Sequence, residues 1–273
     1  MNRAARAARG RVAFAPGMFA RFLFRFRGDR PHVTPGFLRR APRASFHLLL
    51  LALAAATAVP AAAQVGYSPE KSPFRDLDYR QELTAFSGYY AAGKDRAGVA
   101  PQSGPIVGAR YEVRIGGPAQ LLVRASRVFS DRDVIDPTKT AAARSVGSTS
   151  APVYLADLGI AINLTGQKSV HHFVPVLNGG FGLVSGGSTK ADVGGYRFGT
   201  SFAFSFGGGI RYAPGGHFQV RADVNDYIYQ IQYPPSYFVP PTGGTAVLAA
   251  DVAKSQYRHN AALTIGASYL FFR

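Results

Sequence analysis

The chain has 273 residues, 47% of them hydrophobic, with 31 Lys and Arg against 15 Asp and Glu, and it holds neither cysteine nor tryptophan. Lacking cysteine, it has no disulfide scaffold, no thiol chemistry and no Cys-based metal centre. The formal charge of +16 points towards nucleic acid, but 11 of the basic residues and one acid fall within the first 63 residues. The remaining 20 bases and 14 acids include no basic run interleaved with aromatics, so no nucleic-acid partner is expected.

Those first residues read as a leader. Between Phe46 and Val59 runs "FHLLLLALAAATAV", uncharged, preceded by Arg39, Arg40 and Arg43 and followed by Ala61 and Ala63. A positive region, a short apolar region and a small-residue site make a cleaved signal peptide, with the cut expected between Ala63 and Gln64. A spanning helix needs roughly 20 apolar residues, more than this stretch supplies. The arginine-rich residues before it fit a long positive region or a start codon set too early, with Met18 as the alternative start. The expected organisation is leader 1–63, periplasmic lead-in 64–79 and one folded domain 80–273.

Eight segments then have strand character, bounded by Gly, Pro, Ser, Asp or Asn: 80–90, 105–116, 118–129, 151–165, 171–185, 198–213, 216–233 and 257–272. The stretch "FGTSFAFSFGGGIRY" shows the pattern plainly. Phe198, Phe202, Phe204, Phe206, Ile210 and Tyr212 occupy one parity and glycine, serine and alanine most of the other. A period of two belongs to a strand, and four glycines would each cost a helix about 1 kcal/mol relative to alanine. The same division sets Val107, Ala109, Tyr111, Val113 and Ile115 against Arg110, Glu112 and Arg114, and Phe218, Val220, Ala222 and Val224 against Gln219, Arg221 and Asp223. It also sets Tyr154, Leu158, Ile160 and Ile162 against Asp157 and Asn163. In "ELTAFSGYY" no register stands out.

Long connections alternate with tight turns. The long ones start at Ala91, Ser130, Gly186 and Pro234, and the short ones are "GP", "GQKS" and "PGG". Sorting all long loops to one end is the habit of outer-membrane barrels, with short periplasmic turns and longer extracellular loops. An eight-stranded interior is only just wide enough for side chains, so the bulky apolar faces would overfill it. They are therefore expected to face lipid. The fold class expected is all-β: a closed eight-stranded antiparallel up-and-down transmembrane β-barrel, a monomer in the bacterial outer membrane. Its lipid-facing aromatics fall into an outer group (Phe129, Tyr154, Phe181, Phe198, Tyr257) and an inner group (Phe173, Tyr212, Phe218, Tyr269, Phe271). Arg127 also falls on the lipid side.

The last strand, "LTIGASYLFF", carries Leu263, Ile265, Ala267, Tyr269 and Phe271 on one face. With "VYLADLGIAINLTG" and "RHNAALTIG", it resembles the small eight-stranded outer-membrane barrels of Gram-negative bacteria, of the OmpA transmembrane domain, OmpX and OmpW type. The resemblance spans residues 80–273. It implies that the five alternating residues form the C-terminal signal recognised by the barrel-assembly machinery.

Candidate chemistry lies in the lumen, where Arg110, Glu112, Arg114, Arg124, Asp157, Arg211, Arg221 and Asp223 are expected to converge. Such a set is either an anion-favouring filter or an ion-pair network that plugs the barrel. A narrow lumen favours the plug. A catalytic role is weighed at His171, His172, His217 and His259, of which only His259, beside Asn260, lies near the outer end of a strand. No nucleophile, base and carboxylate converge with it, so no enzyme activity, metal or other cofactor is expected. The apolar loop "QYPPSYFVPPTGGTAV" reads either as a lid over the mouth or as a surface for an extracellular partner. A structural or surface-interaction role follows, with a narrow channel as the alternative and a lipid-modifying enzyme behind it.

Overall fold

The computed structural model describes residues 72–187 and 190–271. The leader and its cleavage site lie outside the described residues. In chain order the strands are β1 (Phe74–Asp76), β2 (Gln81–Ala91), β3 (Gly104–Gly116), β4 (Ala119–Val128), β5 (Asp131–Ile135), β6 (Ser145–Ser150), β7 (Val153–Asn163), β8 (Lys168–Val170), β9 (Phe173–Gly186), β10 (Thr200–Tyr212), β11 (Phe218–Gln232) and β12 (Ser255–Phe271). Eight of them pair in the cycle β2-β3-β4-β7-β9-β10-β11-β12 and back to β2, every pair antiparallel. One chain thus closes an eight-stranded barrel with no free edge.

The faces follow the sequence parity. Phe202, Phe204, Val220 and Ile160 stand 50%, 50%, 48% and 47% exposed on the wall, while Arg221 and Asp157 are 2% and 7% exposed inside. Glycine lets the strands coil this tightly: a side chain on lumen-facing Gly209 would strike the Asp223 carboxylate and the Ala222 carbonyl of β11. The strand without visible register, β2, turns Glu82, Thr84 and Tyr90 inward and Leu83, Ala85 and Tyr89 outward.

Two expectations are corrected, and two features are added. Phe198 is not a wall residue. The parity inverts across Gly199, β10 begins only at Thr200, and Phe198 is 8% exposed, packed on Tyr229 at 5.7 Å between centroids. The strand expected from residue 171 begins at Phe173, because His171 and His172 form a two-residue reversal between β8 and β9, with φ of 49° and 71°. Paired positive φ values match the twist of a tight hairpin. The lead-in is partly structured, for β1 pairs with β8 and places Leu77 and Tyr79 in a buried cluster. Finally, the loop from Ser130 contains the β5–β6 hairpin, a separate two-stranded sheet at the long-loop end.

Candidate functional site

The lumen is filled in three layers. In the middle layer lie Arg110, Arg124, Arg211, Arg221, Glu112, Asp157 and Asp223, all buried. Glu82 of β2 joins them, a residue that parity does not single out because its segment shows no visible register. Arg114 departs from the expectation: it is only part-buried, donates from Nη2 to the Leu77 carbonyl at 2.6 Å and lies 5.2 Å from the Tyr79 ring centroid. The layer therefore balances four guanidinium groups against four carboxylates, where five bases against three acids were expected.

Glu112 is its hub. Its Oε1 accepts from Arg110 Nη2 at 2.5 Å, and its Oε2 accepts from Arg211 Nη2 at 2.7 Å and Arg221 Nη1 at 2.9 Å. Arg221 also forks onto Asp223, through Nε at 2.7 Å and Nη2 at 3.0 Å, and reaches Glu82 at 3.2 Å. Arg124 holds Asp157 in a second fork, at 3.0 and 3.1 Å. Forked guanidinium–carboxylate pairs are among the stronger charge-assisted hydrogen bonds and fix geometry as well as charge. Between these groups the remaining hollow, lined by Arg110, Arg124, Arg221, Asp223 and Tyr227, measures about 10 Å³. That is close to the smallest space that holds one water.

Towards the inner end sits Tyr79, on the lead-in. Its hydroxyl accepts from Arg211 Nη1 and, at 3.2 Å, from Gln120 Nε2. Burial pushes its phenol above the ordinary range, with Arg211 acting in the opposite sense. Leu77, Ala161, Val174, Val176 and Leu270 complete this inner plug.

The outer half is apolar. Ile106, Val128, Val153, Leu155 and Val184 face inward beneath Tyr90, Tyr196, Phe198 and Tyr229. Tyr90 and Tyr229 share a hydroxyl hydrogen bond of 2.7 Å. The loop after β11 closes the mouth: the short 3₁₀ helix Pro235–Phe238 buries Tyr237, and Leu248 packs into the same cluster. Of the two readings of that loop, the structure shows the lid. Tyr233 donates to Asp95 of the loop after β2, tying two loops together.

The histidines are scattered. His172 Nδ1 lies 3.2 Å from the Ala213 carbonyl and His217 Nδ1 3.0 Å from the Leu270 carbonyl, both at the inner end. His259 stands on the outer wall with Asp226 at 2.6 Å, whereas Asn260 turns inward to the Tyr227 carbonyl. By strand register His259 faces Ile228, and Asp226 lies between Ala261 and Phe206, so no hydroxyl nucleophile flanks this pair. Among the described residues no group of three or more His, Asp or Glu is arranged to hold a metal ion.

The C-terminal set Leu263, Ile265, Ala267, Tyr269 and Phe271 occupies the outward parity of β12, with Tyr269 and Phe271 rings 5.0 Å apart. Arg127 also faces outward, its guanidinium 4.8 Å from the Phe129 centroid and 5.6 Å from that of Tyr154.

A family model described as outer membrane protein beta-barrel domain matches residues 49–271. A search of curated proteins finds no match. Among solved structures, the chain is similar to Neisserial surface protein A, at 16% identity and a TM-score of 0.43, covering 70% of this chain and 97% of that one. It is similar to OprG from Pseudomonas aeruginosa at 13% identity and a TM-score of 0.44, covering 72% and 99%. The N-terminal barrel domain of Pseudomonas aeruginosa OprF matches at 12% identity and a TM-score of 0.39, covering 71% and 99%.

Proposed function

Because the chain belongs to the outer membrane protein β-barrel family and is thereby an outer-membrane, lipid-embedded protein, we propose that it is a closed barrel whose role is structural or surface-interacting, without conduction or catalysis. The observation that carries this reading is the filled lumen: a charge-balanced middle layer leaving a hollow of about 10 Å³, with an apolar lid above and the Tyr79 plug below. A conducting path needs a continuous column of water, and the buried forks would have to separate to admit one. Balanced charge also removes the basis for anion selectivity. The function is then carried by the outer rim, where the β5–β6 hairpin and the long loops present an ordered surface to an extracellular partner. The alternating face of β12, from Leu263 to Phe271, supplies the signal for the assembly machinery.

Planar-bilayer recording of the refolded mature chain tests the reading. No stable unit conductance is expected at moderate voltage. A reproducible single-channel step would overturn the closed-lumen reading in favour of a narrow channel.

A further inference from the structure

A cation on the lipid-facing wall of a barrel needs an explanation, since Arg at the bilayer midplane costs roughly 2–4 kcal/mol and falls to about 0–1 only near the interface. Arg127 stands one residue short of the outer end of β4 (Ala119–Val128), at the long-loop end of the barrel. It is held between the Phe129 and Tyr154 rings. Across the strands its row runs Val107, Arg127, Tyr154, Ser185, Thr200. The Ser185 and Thr200 hydroxyls are 2.9 Å apart, and Thr200 is exposed. That row holds one cation, three hydroxyls and no carboxylate. The next row towards the inner end begins Ala109, Ala125, Ala156, set between the Arg127–Tyr154 row and one containing Tyr111, Val123 and Leu158. Ala125 and Ala156 beside the Arg127–Tyr154 row leave an open, shallow groove of about 510 Å³ on the wall, lined mainly by apolar atoms, with Leu183 along it and Arg127 at its outer end.

We propose that this groove is a specific site for a phosphorylated acyl glycolipid of the outer leaflet: one acyl chain lies along the alanine floor, and the phosphate meets Arg127 and the Ser185–Thr200 hydroxyls. Charge complementarity selects the occupant. An apolar groove alone accepts any chain, whereas a guanidinium pre-oriented by two aromatic faces, with the Ser185–Thr200 hydroxyls further along the same row beyond Tyr154, suits a phosphate oxygen cluster. The orientation agrees with the leaflet, since phosphate-bearing glycolipid occupies the side to which the long loops project. The site is independent of whether the lumen conducts.

Native mass spectrometry of the detergent-purified mature chain, titrated with diphosphoryl lipid A, with the same lipid dephosphorylated and with phosphatidylglycerol, tests it. The wild type should retain one saturable diphosphoryl lipid A, at least tenfold tighter than either comparison lipid. Arg127→Gln should lose about that preference, and Arg96→Gln, which removes the same charge from the loop after β2, should keep it. Ala156→Leu, which fills the groove floor without touching charge, should weaken binding of all three lipids. Equal binding of phosphatidylglycerol or of the dephosphorylated lipid by the wild type overturns the proposal. So does undiminished preference in Arg127→Gln, or an equal loss in Arg96→Gln. A shift of the heat-modifiable band on unboiled gels reports whether each variant is folded; Ala156→Leu binding like the wild type overturns the proposal even if Arg127→Gln does not fold.

Discussion

Replacing Glu112 by glutamine keeps the shape of the side chain and removes one charge from the centre of the lumen. Three guanidinium groups lose their shared anion, since Arg110, Arg211 and Arg221 all donate to Glu112 at 2.5–2.9 Å. The layer then holds four positive charges against three negative, none able to reach water. A unit charge pair with centres about 4 Å apart interacts by about 4 kcal/mol at an effective dielectric near 20. Desolvation of the carboxylate offsets part of this, and the net cost of deleting one partner of a buried pair is about 3–5 kcal/mol. With a slope of about 2 kcal/mol per molar of urea, a 4 kcal/mol loss lowers the unfolding midpoint by about 2 M. Urea titration in lipid vesicles, read by the ratio of fast to slow bands on unboiled gels, measures it. Combining Glu112→Gln with Arg110→Met, which removes an excess positive charge, should cost less than the sum of the two single changes. A Glu112→Gln midpoint within about 0.25 M of wild type would refute the reasoning, because it would mean that water already reaches these arginines.

Tyr237 fills the lid, yet its buried hydroxyl finds no partner among the described residues. Tyr237→Phe should therefore be neutral or slightly stabilising, whereas Tyr237→Ala should cost about 3–5 kcal/mol by opening a cavity, both read in the same urea assay. His171 and His172 hold left-handed backbone in the β8–β9 turn. Substituting Asn and Gly there should raise stability by about 1 kcal/mol in the same assay by relieving the left-handed strain. At Asp136, in the β5–β6 hairpin, the Thr138 hydroxyl and backbone amide hold the carboxyl below its ordinary value. A depressed folded-state value means the turn gains stability above the usual carboxylate range and loses it as pH falls through the lowered value. Carbon-detected NMR titration should show Asp136 titrating low, and Thr138→Val should move it upward.

Most of the barrel was legible because a period of two leaves little freedom. Once the phenylalanines of β10 and the valines of β11 share a parity, arginines and carboxylates must occupy the other, and a slip of one residue would put all of them in lipid. What stayed hidden depended on contacts between distant segments. Glu82 was missed because Leu83, Ala85 and Tyr89 on the outer face of β2 are interrupted by Ser87, while inward Phe86 breaks the polar face. Phe198 was misplaced because nothing in "RFGTS" marks the inversion at Gly199. Arg114 was counted into the network from parity alone, yet at the inner end of β3 it finds the Leu77 carbonyl and the Tyr79 ring of the lead-in instead. The apolar outer lumen was invisible for a related reason. Residues such as Tyr227, Tyr229 and Ile231 face inward on a strand whose lower half is charged, and their partners belong to loops whose fold no local pattern specifies.

The placement of the charges explains why closure and register are a single property of this chain. Arg211 lies on β10 and Glu112 on β3, strands separated in the pairing order by β11, β12 and β2, yet they meet at 2.7 Å. Arg221 on β11 reaches across β12 to Glu82 on β2 and Glu112 on β3, at 3.2 and 2.9 Å. Backbone ladders alone permit a strand to slide by two residues without turning any side chain to the wrong face, a shift of about 7 Å along the strand. Such a shift would pull these guanidinium groups out of range of their carboxylates and leave unpaired charge in a buried layer. The ladder thus excludes odd slips through the lipid face, and the ion pairs exclude even ones through the lumen. A barrel that conducted would have to give up the second constraint.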